Sequence, residues 1–356
     1  MNQILTDIMA VIGVVLNGLP QGLLALTFGF ASIPTALAFF VGAIGNTVTQ
    51  SVAPISFQAE TITYAGTAGK NRSECCTMVF FGALLMTIIG CCGMLTKIVD
   101  FIGADIANGM MAGVGIMLAS TAIDMVKKEK VAGGVSLAVA LITYVLTSQS
   151  SNTLVYTILA SVVASCVVTM IYGKVSKKEQ EAIVVVDDKF KRQKFTINSR
   201  VIMGALGMVC LNIGSNISFG AITASMAPNA NFNVDNLTVI SSVADMASSF
   251  FGGAPVESII SATAAAPHAV WCGVAMMLVI GVLLLAGILP KISKFVPPAS
   301  IAGFLFVLGV FKTVALDAPA ALATAPAVGG ITMVATAITN PFIGMIAGLI
   351  AKFIGL

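Results

Sequence analysis

Three carboxylates sit where a carboxylate is costly. Glu60, Asp245 and Glu257 all fall within long apolar stretches of a 356-residue chain, and two of them follow closely on an Ala-Pro pair. The first pair lies in Ser51-Val52-Ala53-Pro54-Ile55-Ser56-Phe57-Gln58-Ala59-Glu60, the second in Phe251-Gly252-Gly253-Ala254-Pro255-Val256-Glu257-Ser258. Ionisable groups at membrane depth face a cavity or a partner and mark the routes of solutes, ions or protons. Proline removes a backbone donor and breaks helix, and non-helical backbone inside a bilayer survives only where it is buried in protein or lines a wet cavity. Broken spans at corresponding places in two halves point to a transporter's binding site. Helix resuming after each break would aim an N-terminus, with free N–H groups and partial positive charge, at one central point. That point suits a polar or anionic ligand.

The candidate substrate-binding residues are therefore Val256, Glu257 and Ser258 on the second break and Ser56, Gln58 and Glu60 on the first. Glu257, two residues beyond Pro255, falls in the first turn of the expected half-helix, where it can accept hydrogen bonds from ligand N–H groups. The plainer role is a carboxylate that only satisfies backbone donors. Glu60 divides between a site role and a structural pair. Asn17 and Gln21 interrupt the first apolar span around Gly18 and Pro20, and Asn212, Asn216 and Ser218 interrupt the eighth. Those two spans correspond, so both can flank the cavity; interhelical hydrogen bonding is the alternative for amides in a membrane. Glu257 and Asp245 are the candidates for proton coupling. Asp124, near a span end, reads as a capping or pairing residue.

These residues need a membrane scaffold. Hydrophobic residues make up 58% of the chain and charged ones 9%, with a mean hydropathy of +1.01, which leaves a soluble surface almost nothing to offer water. A helix crosses a bilayer with roughly 20 apolar residues. Spans are predicted at 8–30, 33–49, a broken 51–66, 74–96, 101–125, 131–148 and 152–172. After them come 201–228, 236–250, a broken 252–266, 268–289, 296–315, 319–337 and 339–355. The fold class is an all-α polytopic membrane protein of about fourteen segments in two seven-segment repeats, 1–172 and 201–356. An odd number per half makes the second insert inverted. Residues 106–117 (IANGMMAGVGIM) and 300–311 (SIAGFLFVLGVF) echo one another at similar distances past the two breaks. Residues 173–200 form the one long hydrophilic stretch, a basic linker carrying eight of the eighteen Lys and Arg.

The first apolar stretch lacks a basic n-region and stays as a span. The seven cysteines, including Cys75-Cys76 and Cys91-Cys92, read as small buried hydrophobes. With His268 the lone histidine, no metal spacing exists. No metal, cofactor, enzymatic activity or nucleic-acid partner is expected. All Lys and Arg except Lys97, Lys312 and Lys352 fall on or beside loops that follow odd-numbered spans. Basic loops stay cytoplasmic, which puts that side inside and both termini outside.

The stretch ADMASSFFGGAPVESIISATAAAP at 244–267 resembles the nucleobase–cation symporter type-2 superfamily, nearest to its adenine/guanine/hypoxanthine permease branch. Ala244-Asp245, Gly252-Gly253 and Glu257-Ser258 match the branch's ninth-span Ala-Asp pair, Gly-rich break and tenth-span Glu-Ser pair, and the PPAS at 297–300 resembles its twelfth segment. The resemblance implies a uracil-permease type of fold. In it a core domain of segments 1–4 and 8–11 carries the ligand between the broken spans, against a gate domain of segments 5–7 and 12–14. It also implies that Glu257 contacts a purine or pyrimidine and that the termini lie inside. The eighth span here lacks the acidic residue the family often has, leaving Asn212 or Asn216 to substitute.

The leading expectation is thus a multi-pass plasma-membrane transporter of a small polar solute, a nucleobase carried by proton symport with alternating access. Its partners are the solute, protons and lipid; a homodimer is compatible. The alternatives are an anion transporter of the sulfate-permease kind, using the half-helix N-termini, or the membrane subunit of a larger transport complex.

Overall fold

A computed structural model describes residues 3–150, 153–176, 183, 189–227 and 232–356. Much of the 173–200 linker and the predicted span edges at 152 and 228 lie outside the described residues. The first half runs α1 (Gln3–Thr27), α2 (Ser32–Thr49), β1 (Ile55–Ser56), α3 (Ala59–Ala68), α4 (Arg72–Cys91), α5 (Leu95–Ile102), α6 (Ala104–Lys128), α7 (Lys130–Leu146) and α8 (Thr153–Ser176). The second runs α9 (Ser199–Ser225), α10 (Val234–Phe250), β2 (Glu257–Ser258), a 3₁₀ turn (Ala262–Ala265), α11 (Ala269–Leu285) and α12 (Ile288–Ser293). A composite helix follows: a 3₁₀ turn (Pro298–Ile301), α13 (Ala302–Val307), a π turn (Leu308–Val314) and α14 (Ala315–Ala321). The chain closes with α15 (Pro326–Ile338) and α16 (Pro341–Phe353).

Among the described residues seven helices are long and apolar enough to cross a membrane, and four more are apolar but shorter. With α10 and the two broken segments, fourteen crossings result, and the protein is an all-α, multi-pass membrane protein. The boundaries differ from the sequence reading at several places: the helix expected to end at 315 runs on to Ala321, and the expected 319–337 span begins at Pro326. The expected 74–96 and 268–289 spans end early, and α5 and α12 stand apart from them. The reason lies in Gly93 (φ +61°) and Gly287 (φ +63°), left-handed positions that glycine adopts without a Cβ penalty.

The packing repeats itself when the halves are exchanged. Helix α2 packs on α11 as α10 packs on α4, and α1 meets α11 as α9 meets α4. Likewise α6 packs on α15 as α13 packs on α7, while α7–α8 corresponds to α15–α16. The echoing glycine segments meet where the exchange maps one onto the other. A Cβ on Gly115 would lie 2.8 Å from Gly309 O, and one on Gly309 would lie 2.5 Å from Gly115 O. Only glycine permits this approach, the close-packing use of small residues in membrane helices. Two groups of helices emerge, one of α1–α4 and α9–α11, the other of α6–α8 and α13–α16.

The first break, just before α3, crosses the second. β1 and β2 pair antiparallel, Ile55 opposite Ser258 and Ser56 opposite Glu257. Residues 51–60 and 252–258 therefore face each other inside the bundle. Directly opposed Cβ atoms in such a pair lie about 4.5–5.5 Å apart, near the span a disulfide bridges. Ile55→Cys with Ser258→Cys should form a disulfide on mild oxidation, read as a gel shift after proteolysis within the linker. Ile55→Cys with Thr263→Cys should not; equal yields from both pairs would contradict the pairing.

Candidate functional site

Each break is held by side chains of the helix before it, and the second by Thr35 of α2 as well. In the first, Asn46 of α2 donates through Nδ2 to Ala53 O at 2.9 Å and Ser51 O at 3.3 Å. In the second, Ser248 of α10 donates to Ala254 O at 2.7 Å, and Asp245 Oδ1 accepts from Val256 N at 2.6 Å. Thr35 Oγ1 accepts from Ala254 N at 2.8 Å. The proline of each break lacks an N–H, so what these side chains satisfy is the backbone immediately around it. Gly252 sits at φ +88°, and its carbonyl accepts from Arg72 Nη2 at 2.9 Å. A Cβ on Gly253 would lie 2.7 Å from Thr35 N. The Gly-Gly pair is thus required by the fold of the break itself.

The crossing strands face a polar interior. Ser56 and Glu257, directly opposite, send their side chains to the same face of the two-stranded ribbon. Glu257 is completely buried, with Asp245, Ser241 and Asn212 standing around it. Among the described residues neither carboxylate oxygen of Glu257 has a hydrogen-bond partner within ordinary geometry. The same holds for Asp245 Oδ2, both side-chain atoms of Asn212, Asn216 Oδ1, Gln58 Nε2 and the hydroxyls of Ser56, Ser242 and Ser258. Asn216 Nδ2 donates to Ser241 Oγ at 3.2 Å. A buried polar atom without a partner costs about 1–3 kcal/mol, so a cluster of them marks a place where something polar binds.

Of the residues singled out from sequence, Ser56, Glu257 and Asp245 meet at this crossing with Asn212 of α9, and Asn216 joins them through Ser241. Val256 contributes its backbone N–H, bonded to Asp245. Gly18 of α1 backs Ser56, since a Cβ there would lie 3.2 Å from its Oγ. Asn17 and Gln21 flank that contact, Gln21 donating to Asn17 O at 3.3 Å. Glu60 does not join the cluster by any hydrogen bond among the described residues. It occupies the first turn of α3 and accepts from Thr313 Oγ1 of the π turn at 3.5 Å, across the boundary between the two helix groups. Asp317, one turn on, lies within electrostatic reach of it. Asp124 pairs with Lys127 at 3.0 Å on the surface.

One expectation is corrected by the geometry. No half-helix follows the second break, so Glu257 is a strand residue rather than a helix-start carboxylate. Ser261 accepts from Thr263 N in a local turn, and Pro267 disfavours helix at the residue before it. The alanine-rich stretch between them has room for only a four-residue 3₁₀ turn.

Sequence reasoning missed Ser241 and Ser242, although Thr238, Ser241, Asp245 and Ser248 recur at helical spacing along α10 and are all fully buried. It also missed Thr313 and Asp317, which lie in or near an apolar stretch that reads as plain span.

No protein-family model matches the chain and no curated protein matches it in sequence. Solved structures do. The transmembrane domain of a cyanobacterium bicarbonate transporter, BicA, superposes with a TM-score of 0.66 at 15% identity, covering 98% of both chains. SLC26A9 gives 0.73 at 11% identity, covering 99% of this chain and 65% of that one. The murine Solute Carrier 26 family member A9 anion transporter, in the inward-facing state, gives 0.72 at 13%, covering 99% and 68%. The protein thus has the fold of membrane transporter domains. The resemblance of 244–267 to the nucleobase-permease branch is overturned, since the matching structures are bicarbonate and anion transporters. Gly252-Gly253 and Asp245 serve the geometry of the break, which a shared architecture demands whatever the solute.

Asp245 is the residue whose role as a backbone acceptor is directly testable. Asp245→Ala leaves the Val256 N–H buried without a partner and should lower stability by about 1–3 kcal/mol. Asp245→Asn keeps an acceptor and should lose less. Thermal unfolding of the two variants in detergent measures the difference; equal losses would remove that role.

Proposed function

We propose that this protein is a secondary transporter of a small anion in the plasma membrane, working by alternating access. The observation that carries the reading is the buried, unpartnered polar cluster where two broken segments cross. Three further features support the anion. The ten-residue α3 starts at Ala59, three residues past Ser56, and brings its N-terminal N–H groups to the crossing. Asn212 and the free serine hydroxyls supply neutral donors. The matching structures include bicarbonate and anion transporters.

The carboxylates set the coupling. Asp245 and Glu257 beside an anion repel it unless a proton or cation neutralises them, since like charges in a dry interior interact strongly. The anion therefore travels with a proton that Glu257 and Asp245 share. The α1–α4/α9–α11 group carries the site as a core domain and moves against the α6–α8/α13–α16 group as a gate. The halves 1–172 and 201–356 act as inverted repeats joined by 173–200.

Reconstituted protein should take up chloride, sulfate or bicarbonate at fixed pH, and an inward proton gradient should accelerate uptake of the first two. Uptake of neutral or cationic solutes only would overturn the reading. Glu257→Gln, a permanently neutral stand-in for the protonated acid that keeps N–H donors, should abolish the response to the gradient while leaving anion uptake at fixed pH largely in place. Unchanged coupling in that variant would remove Glu257 from the site. Glu60→Gln should act more weakly.

The orientation follows the charges: the face bearing the linker is cytoplasmic. A cysteine replacing exposed Lys191, in a chain whose native cysteines are replaced by serine, should resist an impermeant thiol reagent in intact cells and react after permeabilisation. Labelling of intact cells would place that face outside.

A further inference from the structure

A cavity of about 300 Å³ opens away from the crossing, at the end of the bundle that carries the basic loops. It lies between the two helix groups. Tyr64 and Thr67 of α3 and Arg200 of α9 line it on one side, Met117 of α6 and the Thr339–Asn340 connection on the other. Among the described residues, Arg200 is the one charged side chain in its wall. Its nearest acid, Glu74, is already engaged: Oε2 accepts from Lys70 N and Oε1 from Asn198 Nδ2, both at 2.9 Å. Arg200 stands 3.7 Å from Glu74 Oε2 with its side chain 43% exposed, so most of the five guanidinium N–H donors are not used by that contact.

The surrounding backbone adds to the positive sign. Helices α9 and α16 both begin here, capped by Asn198 and Asn340, whose Oδ1 atoms accept from Val201 N and Ile343 N at 3.0 Å. Helix α3 ends here and opposes them with roughly half a charge, and the Glu74 carboxylate offsets Arg200. This leaves the wall positive by about half a charge from the two helix N-termini. Glu60, Tyr64 and Thr67 recur at i, i+4 and i+7, which places them on one face of α3. At ~1.5 Å per residue the cavity lies about 10 Å from Glu60 along that face.

We propose that this cavity is a second anion site, in which Arg200 captures an inorganic anion before it moves along α3 to the crossing. The assignment rests on the anion-transport reading above. Arg200 touches the anion at the mouth only, so its loss changes capture and leaves the central step intact.

The test uses Thr67→Cys, at an exposed position in the cavity wall, in a chain whose exposed Cys91 and Cys92 are replaced by serine. Modification of the introduced thiol by anionic and cationic methanethiosulfonate reagents is read by mass spectrometry, with and without sulfate. The anionic reagent should be favoured, and Arg200→Gln should cut that preference by about two- to fivefold, the scale of a partly exposed charge. Arg200→Lys should retain most of it. Sulfate should slow modification of that thiol in the arginine chain and not in the glutamine chain. In inside-out vesicles, where the cavity faces the added anion, Arg200→Gln should raise KM by a similar factor with kcat unchanged. Equal reagent preference in all three chains, or no sulfate protection in the arginine chain, overturns the site even if the glutamine variant fails to fold. Arg200-dependent protection in a protein that carries no anion across vesicles would uphold the site and defeat the transport reading instead.

Discussion

A backbone that leaves its helix inside a bilayer must find a partner for every N–H and C=O it exposes. Most of what surrounds the crossing of β1 and β2 answers that demand. Two strands of two residues each supply bonds to one another, but not enough. The balance comes from Asn46, Thr35, Ser248 and Asp245, all buried, on the helices that flank the breaks. These positions cannot be apolar, although their surroundings are. The close packing of α2 and α10 on the breaks follows, because side chains this short reach the backbone only from an adjacent helix.

Small residues set how closely helices approach within each group. Within the second group, Gly109 and Gly113 of α6 receive Thr332 and Thr336 of α15, and Gly303 seats α13 against Ser136 of α7. Between the groups, Met111, Val114 and Leu118 of α6 share one apolar cluster with Val14 and Leu23 of α1 and Met208 of α9, and beside the site a polar contact joins it. Glu60 reaches Thr313 where the composite helix widens into a π turn, the kind of local irregularity that recurs at functional places.

Much of this architecture can be read from sequence, because the bilayer makes the signals strong. Apolar length marks the spans, Ala-Pro with a following polar run marks the breaks, and the glycine echo at 106–117 and 300–311 marks a contact that is present at Gly115 and Gly309. The site is legible in part. Glu257 and Asp245 stand out as carboxylates in apolar sequence, and they do meet. The local form of the second break is not legible, since Ala262–Ala266 has the composition of a helix and only its two neighbours, Ser261 and Pro267, deny it the length. Nor is the solute. The motif at 244–267 consists largely of residues that the break requires for its own geometry, so likeness there speaks for architecture and is silent on cargo. Arg200 escaped because one arginine among the eight basic residues of 173–200 has no distinguishing pattern until the fold sets it against a cavity.

Ser56 and Glu257 occupy equivalent places in the two halves, each two residues past its proline, and they stand opposite one another. In an assembly of two identical seven-segment chains that position would be filled twice by the same residue. Two serines would leave the crossing uncharged, and two glutamates would set like charges against each other in a dry interior, which destabilises the pair. Joining the halves into one polypeptide lifts this restriction. A single acid can then face a neutral hydroxyl across the pseudo-axis, and the site acquires a direction that a strictly symmetric dimer could not give it.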